Sequence, residues 1–270
     1  MHHPDPSIVV IIVAAGTGSR FGASLPKQFC QLQGRPVLCS TIDAFRGIVP
    51  DDNIRVVISD IMEATWRQLC DDARFFSPHT IAGGETRWHS VKNAIDSLAS
   101  DWPDDTIIMI HDGARPFPSA DLIRRLALLK PDYAGNVAAV ALTDSIRELS
   151  TAYGSRAVDR AVYRAVQTPQ SFRLGTLRQA YAQPFSPAFT DDASVVEAAR
   201  LGEINLVEGD TFNMKITSPH DLVVAEAIAK YLVNSETSIN RETSSNEAST
   251  NREASITTSS VDKPTETLRR

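Results

Sequence analysis

Cysteine is scarce in this chain: three stand among 270 residues, Cys30, Cys39 and Cys70, and none forms a Cys-x-x-Cys pair. An odd, scattered set argues against a disulfide framework or a zinc site and points to a reducing compartment. Basic excess is missing too. The formal net charge is −6, so no global positive field draws in nucleic acid, and local cations must hold any anionic ligand. The opening Met1–Pro6 has no basic region of the secretory kind, and the apolar run behind it is too short to span a bilayer. These absences predict a cytoplasmic protein that binds neither nucleic acid nor membrane. Aromatic residues are absent from Ser235–Arg270, where Ser and Thr supply 15 of 36 positions and Asn-Arg-Glu occurs at 240–242 and 251–253. Too little apolar surface is available there to offset chain ordering, so 235–270 is expected to be a disordered tail behind a domain at 1–234.

Two nucleotide-binding motifs are missing as well. Gly16-x-Gly18-x-x-x-Gly22 is one residue longer than the dinucleotide fingerprint, and no acid follows about 20 residues on at the end of a second strand. Nor is there a G-x-x-x-x-G-K-[ST] run, because Lys27 lies between Pro26 and Gln28. What stands there instead is Ala14-Ala15-Gly16-Thr17-Gly18-Ser19-Arg20, directly after the apolar run Ile8–Val13. Glycine-rich backbone at the end of a buried strand exposes several N–H groups to one anion. Arg20 and Lys27 would repel each other in an empty loop, and a polyphosphate removes that cost. An ordinary βα turn explains the glycines alone; glycines and cations together point to a nucleoside triphosphate.

Strand and helix patterns alternate through most of the chain. Strands are predicted at Ile8–Val13, Ile54–Ser59, His79–Ala82 and Thr106–Ile110, and helices at Val37–Phe45, Ile61–Asp72 and Thr86–Leu98. Such alternation implies a doubly wound, mostly parallel, Rossmann-like α/β sheet. Ligands of these sheets sit outside the carboxyl ends of the strands. That places the loop after Val13, Gly83-Gly84-Glu85 and His111-Asp112-Gly113-Ala114-Arg115 on one rim. From Ser145 to about Phe172 the pattern weakens, and either a projecting β-arm or a surface insertion explains it. Helices then resume at Leu174–Ala182 and Asp191–Leu201, strands at Ile204–Val207 and Asn213–Ile216, and a last helix begins at Ser218-Pro219.

Several rim residues admit two readings. Asp112 is either a Mg²⁺ ligand opposite the phosphate loop or the cap of a following helix. Gly84, Glu85 and Ser90 either let a flat base approach the backbone or belong to a plain N-capped helix, and spacing alone favours the second. Lys215 reaches either solvent or the anion site. His111 reads as a packed histidine rather than a ligand or base.

The runs Ala14–Arg20, Pro26-Lys27-Gln28, His111–Pro116, Val158-Asp159-Arg160, Gln167-Thr168-Pro169-Gln170, Thr190–Ser194 and Asn213–Thr217 together resemble the 2-C-methyl-D-erythritol 4-phosphate cytidylyltransferases. The resemblance keeps the family's order over roughly residues 8–232. It implies a nucleotide-diphospho-sugar-transferase fold, with CMP transferred from CTP to methylerythritol phosphate in the non-mevalonate isoprenoid route and Mg²⁺ as cofactor. By the same resemblance Arg20 and Lys27 stabilise charge on the reacting phosphorus, and Arg160 and Lys215 aim the attacking phosphate. Asp112, Arg115, Ser145 and Thr168 contact methylerythritol phosphate, while Gly84, Glu85, Ser90 and Gly113 line the cytidine pocket. A homodimer with embracing β-arms (about 145–172) is implied, with Arg160 and Thr168 serving the partner's site. The nearest alternative is a ribitol or ribulose 5-phosphate cytidylyltransferase. Ser145 stands where the family often has threonine, and Gly113 where alanine is frequent.

Overall fold

The computed structural model describes residues 7–16, 25–98, 102–149 and 154–235. The expectations for Thr17, Gly18, Ser19 and Arg20, and for the tail beyond Ser235, lie outside the described residues. The first strand, β1 (Ile8–Val13), is followed by a small antiparallel pair, β2 (Gln31–Leu32) and β3 (Arg35–Pro36). Helices and strands then alternate as α1 (Val37–Arg46), β4 (Ile54–Ile58), α2 (Asp60–Ala73), β5 (His79–Ala82), α3 (Arg87–Ser97) and β6 (Ile107–Asp112). Next come α4 (Ala120–Ala127), β7 (Tyr133–Ala141) and a hairpin of β8 (Arg147–Leu149) and β9 (Ser155–Ala157). The series ends with β10 (Arg164–Arg173), α5 (Leu174–Ala180), α6 (Asp192–Ala198), β11 (Glu203–Glu208) and helical residues 219–235. The described residues divide into two units between Leu222 and Val223.

Seven strands form the central sheet in the order β11-β7-β10-β6-β1-β4-β5. Neighbours pair in parallel except at β10, which runs antiparallel to both β6 and β7. Successive side chains of a strand point to opposite faces, so β1 feeds two cores. Val9 and Ile11 pack with Val91, Ile95, Leu177 and Val195 of α3, α5 and α6. Val10 and Ile12 pack with Leu38, Ile42, Trp66 and Leu122 of α1, α2 and α4. Coverage on both faces explains why β1 and β6 read as unbroken apolar runs. The expected doubly wound, mostly parallel sheet is present, with the β8–β9 hairpin outside it.

Four parts of the chain depart from the sequence reading. The helix α4 and strand β7 fall between Arg115 and Ser145, where no element is predicted. Their sequence, with Gly135 and four alanines in β7, hides a strand because the covering groups come from elsewhere: Phe172 lies opposite Gly135. Polar Asn136 is buried in β7, and its amide donates to the Leu126 and Leu128 carbonyls, closing the end of α4. The expected strand Asn213–Ile216 is a loop; one backbone bond, Ile216 N–H to the Ala114 carbonyl (2.9 Å), ties it to the rim. The predicted arm is also narrower. Residues from Gln167 to Phe172 are buried within the central sheet, and the hairpin alone is exposed at every described strand position. Arginine-rich spacing masked this, since only the second half of β10 enters the core.

A Cβ added at Gly135 would stand 2.3 Å from the Phe172 ring and 3.0 Å from the Ser171 carbonyl oxygen. The ring is fully buried, so it cannot swing away. Gly135→Ala is expected to cost about 1–3 kcal/mol by overpacking, read as a lower urea midpoint at unchanged slope. An unaltered midpoint would contradict this close packing.

Candidate active site

Pairing register brings the sheet's chemistry to one rim. Val13 stands level with both Val57 and Asp112, and Ile58 with Ala82. The backbone leaving β1, β4, β5 and β6 therefore emerges together as Ala14–Gly16, Ser59, Gly83-Gly84 and Gly113. A cavity of about 380 Å³ opens there, lined by Ala14, Ala15, Gly16, Lys27, Gly84, Glu85, Arg87, Ser90, Asp112, Gly113 and Lys215. Every described member of the expected CTP-binding set lines it. Another cavity, of about 580 Å³, lies around the starts of β4 and β5 and contains none of these groups. Chemistry, not volume, selects the rim cavity.

A side chain of the cavity wall holds the loop after β1. The buried Gln28 amide donates to the Ala14 carbonyl (2.7 Å) and the Gly16 carbonyl (2.9 Å). Both acceptors are thereby satisfied, so neither stands as a bare carbonyl against an anionic ligand. A single 3₁₀ turn, Lys27–Phe29, carries this residue, and fully buried Phe29 anchors the turn. Gln28 thus orients the loop, and both it and its neighbour Lys27 line the cavity. The motif Pro26-Lys27-Gln28 gives Gln28 no role in the sequence, because its partners are backbone carbonyls 12 and 14 positions away.

The opposite wall is the start of α3. Thr86 caps the helix by accepting from the His89 N–H, so the cap reading is correct, yet the same turn also lines the cavity. A Cβ at Gly83 would come within 2.4 Å of the Ala15 Cβ, and one at Gly84 within 2.4 Å of the His89 Cβ. Glycine at 83 lets this turn approach the β1 loop, and glycine at 84 lets the turn fold back on the start of α3. Ser90 completes the turn by accepting from the Gly84 N–H at 3.1 Å.

At the centre stands Asp112. Its Oδ2 meets Lys215 Nζ at 2.8 Å and Arg115 Nε at 3.4 Å, and its Oδ1 meets Arg87 Nε at 3.4 Å. Burial alone would raise its pKa, but Arg87, Lys215 and Arg115 outweigh burial and hold the carboxyl far below the ordinary carboxylate range. No helix begins directly after Asp112; the next one is capped by Ser119, which removes the capping alternative. Lys215 points into the site rather than to open solvent.

A second cavity of about 300 Å³ adjoins the first, lined by Arg115, Gln167, Thr168, Gln170, Thr190 and Asp191. Arg87, Asp112 and Lys215 line both. Thr168 reaches this place because β10 bulges between Val166 and Gln170, next to β6. Its hydroxyl oxygen accepts from the Asp112 N–H (3.0 Å) and contacts His111 Nδ1 (3.2 Å). His111 Nε2 lies 2.9 Å from the Arg115 carbonyl, which can only accept, so Nε2 carries the proton. Burial pushes the His111 pKa down to about 4, leaving Nδ1 unprotonated and the Thr168 hydroxyl as its donor. Thr168 therefore braces its own chain's Asp112. Antiparallel β10 returns it to its own rim.

Arg160 and Ser145 do not join either cavity. Both are exposed, and the Arg160 guanidinium donates to the Thr143 carbonyl. Two residues that sequence reasoning missed are Arg87 and Asp192. Both Nη atoms of Arg87 bind buried Asp192, at 3.0 and 2.7 Å. A cation in the first turn of a helix opposes the helix dipole, and that anomaly was the legible signal. Among the described residues no group of three or more His, Cys, Asp and Glu could enclose a metal. Asp112 can supply one oxygen ligand, which fits Mg²⁺ only where phosphate oxygens and water complete the shell.

The profile of the 2-C-methyl-D-erythritol 4-phosphate cytidylyltransferase family matches residues 8–231. The protein of that name from Bacteroides thetaiotaomicron is 43% identical over 220 residues, spanning 81% of this chain and 98% of its own. The one from Geobacillus thermodenitrificans is 37% identical over 222 residues, 81% of this chain and 95% of its own. The crystal structure of the Thermus thermophilus protein of that name superposes with a TM-score of 0.65 at 30% identity, covering 83% of this chain and 99% of that one.

Gln28→Glu keeps the side chain's size but turns a carboxylate oxygen toward two carbonyls. Binding of a nucleoside triphosphate to the rim cavity should weaken about tenfold or more, the cost of one opposed buried hydrogen bond. Calorimetry with CTP and Mg²⁺ checks this; equal affinity in the variant would remove Gln28 from the site.

Proposed function

The chain belongs to the 2-C-methyl-D-erythritol 4-phosphate cytidylyltransferase family, and on that premise we propose that its two adjoining cavities bring together the two reactants of that transfer. The reaction moves CMP from CTP to methylerythritol phosphate in the route to isoprenoid precursors. An oxygen of the 4-phosphate forms a bond to the α-phosphorus, the bond from that phosphorus to the bridging oxygen breaks, and pyrophosphate leaves. The observation that carries the reading is the charged wall of Arg87, Asp112 and Lys215, which lines both cavities. A phosphate in one cavity meets a triphosphate in the other only at that wall.

The attacking phosphate is already an anion at neutral pH, so the chain needs positioning and charge neutralisation more than a strong base. Ala14–Gly16 present backbone to the triphosphate, and Lys27 neutralises charge that gathers on its α-phosphate, with Arg20 assigned the same work by family resemblance. Gly84, Glu85, Ser90 and Gly113 hold the cytidine. Lys215 aims the acceptor phosphate, and Arg115 and Asp112, braced by Thr168, position the rest of the acceptor. Asp112 would hold Mg²⁺ together with triphosphate oxygens, and charge neutralisation of the departing pyrophosphate is what that ion supplies.

A homodimer through the hairpin completes the reading. Leu149 on β8 is 81% exposed and Val162 76% exposed, apolar surface that a second copy of this chain would cover. Exposed Arg160 and Ser145, outside both cavities of their own chain, would then serve the partner's acceptor site. Free cysteines fit a cytoplasmic location, and among the described residues no helix is long and apolar enough to cross a membrane.

Pyrophosphate release from CTP should require methylerythritol phosphate; turnover of ribitol phosphate instead would reassign the acceptor. Lys27→Ala should lower kcat about 10²–10³-fold, as for a lost oxyanion donor. Mixing Arg160→Ala with Lys27→Ala protein should restore activity through hybrid dimers, and no recovery after verified subunit exchange would refute arm sharing.

A further inference from the structure

Asp192 lines neither cavity, yet it is the fully buried acid to which the shared wall is tied. Its two oxygens take Nη1 and Nη2 of Arg87, and the Tyr181 hydroxyl donates to Oδ1 at 2.7 Å. Tyr181 is itself buried and stacked on Trp88, the residue after Arg87, at 5.4 Å between ring centroids. Asp192 is further fixed at the start of α6. There Asp191 caps the helix, while the Gln170 amide donates to Asp191 and its carbonyl accepts from the Ala193 N–H. The guanidinium is planar, so a fork anchored on one edge dictates where the remaining Nε points. Here it points at Asp112 Oδ1, leaving Oδ2 to Lys215 and Arg115.

We infer that Asp192, with Tyr181, is a positioning residue for the transfer: it occupies the Arg87 fork so that the Asp112 carboxylate keeps Oδ2 turned toward Lys215. The inference rests on the two-cavity reading above. A buried ion pair is weak evidence of a stabilising role, because desolvation offsets most of its attraction. Placement on a wall between two ligand cavities gives it a different use. Without Asp192 all donors of Arg87 are free to grip Asp112, drawing the carboxylate from Lys215 and misaligning the cation that aims the attacking phosphate. Tyr181 supports the arrangement by remaining a donor, since burial and then Asp192 raise its pKa well above the usual phenol value.

The test is a set of double-mutant cycles on the full chain with CTP, methylerythritol phosphate and Mg²⁺, using a labelled-CTP assay able to follow slow turnover. Asp192→Asn, Tyr181→Phe and Arg87→Lys are each made alone and with Asp112→Asn. Each single change is expected to lower kcat, by about tenfold or more for Asp192→Asn, on the scale of a lost hydrogen bond to a charged group. In the Asp112→Asn background each should add less than about twofold, because residues acting through one group are non-additive. A mere strut between α3 and α6 would lower activity by the same factor in both backgrounds, and that result overturns the proposal. If Asp192→Asn does not fold, Tyr181→Phe decides, since it keeps the ring and its stacking. A crystal structure of that variant should show Asp112 Oδ2 displaced from Lys215 Nζ; kcat unchanged with the 2.8 Å contact retained counts against the inference. Parent enzyme that releases no pyrophosphate with these substrates would instead refute the function reading.

Discussion

A carboxylate buried among three cations is the constraint around which this molecule is arranged. Asp112 ends the most completely buried strand, and its charge is tolerable there only because Arg87, Arg115 and Lys215 converge on it. Each of the three comes from a different part of the chain: the first turn of α3, the loop after β6, and the segment following β11. Holding them at one point fixes how those segments approach each other. It also leaves a wall of mixed charge at the sheet's rim, suited to two phosphate-bearing reactants that would otherwise repel.

Sheet topology supplies the rest of that arrangement. Parallel β1, β4, β5 and β6 deliver their carboxyl ends to a common edge, and crossover helices cover both faces. One antiparallel strand, β10, runs back along β6 and bulges between Val166 and Gln170, near the carboxyl end of β6. The bulge gives the rim Thr168 and the buried amide of Gln167, which accepts from Asn213 (3.2 Å) beside Lys215. A uniformly parallel sheet would send a strand end there instead, with no side chain aimed at the back of Asp112.

Much of this was legible beforehand. Unbroken β-branched runs identified β1 and β6, because strands covered on both faces carry no polar alternation. Gly83 and Gly84 stood out, and Lys27 followed the loop at short range. Less visible were β7, whose small residues make room for Phe172, and α4, which is only eight residues long. Gln28, Arg87 and Asp192 were in plain view as letters but not as partners. Their roles depend on who faces them, and the partners of Arg87 lie 25 and 105 positions away.

By itself, then, the chain's order of residues determined the local elements, the alternation that forces a doubly wound sheet, and the set of motifs that ties it to one family. Those are consequences of short-range propensity and of side-chain periodicity, both written along the chain. Tertiary structure alone decided that Lys215 turns inward, that Thr168 braces its own Asp112, that the arm is shorter than its arginines suggested, and that a buried Asp192 stands behind Arg87. Each of these is a matter of which charge or hydrogen-bonding group finds a partner in a desolvated place, and such partners are chosen by the packing of distant segments.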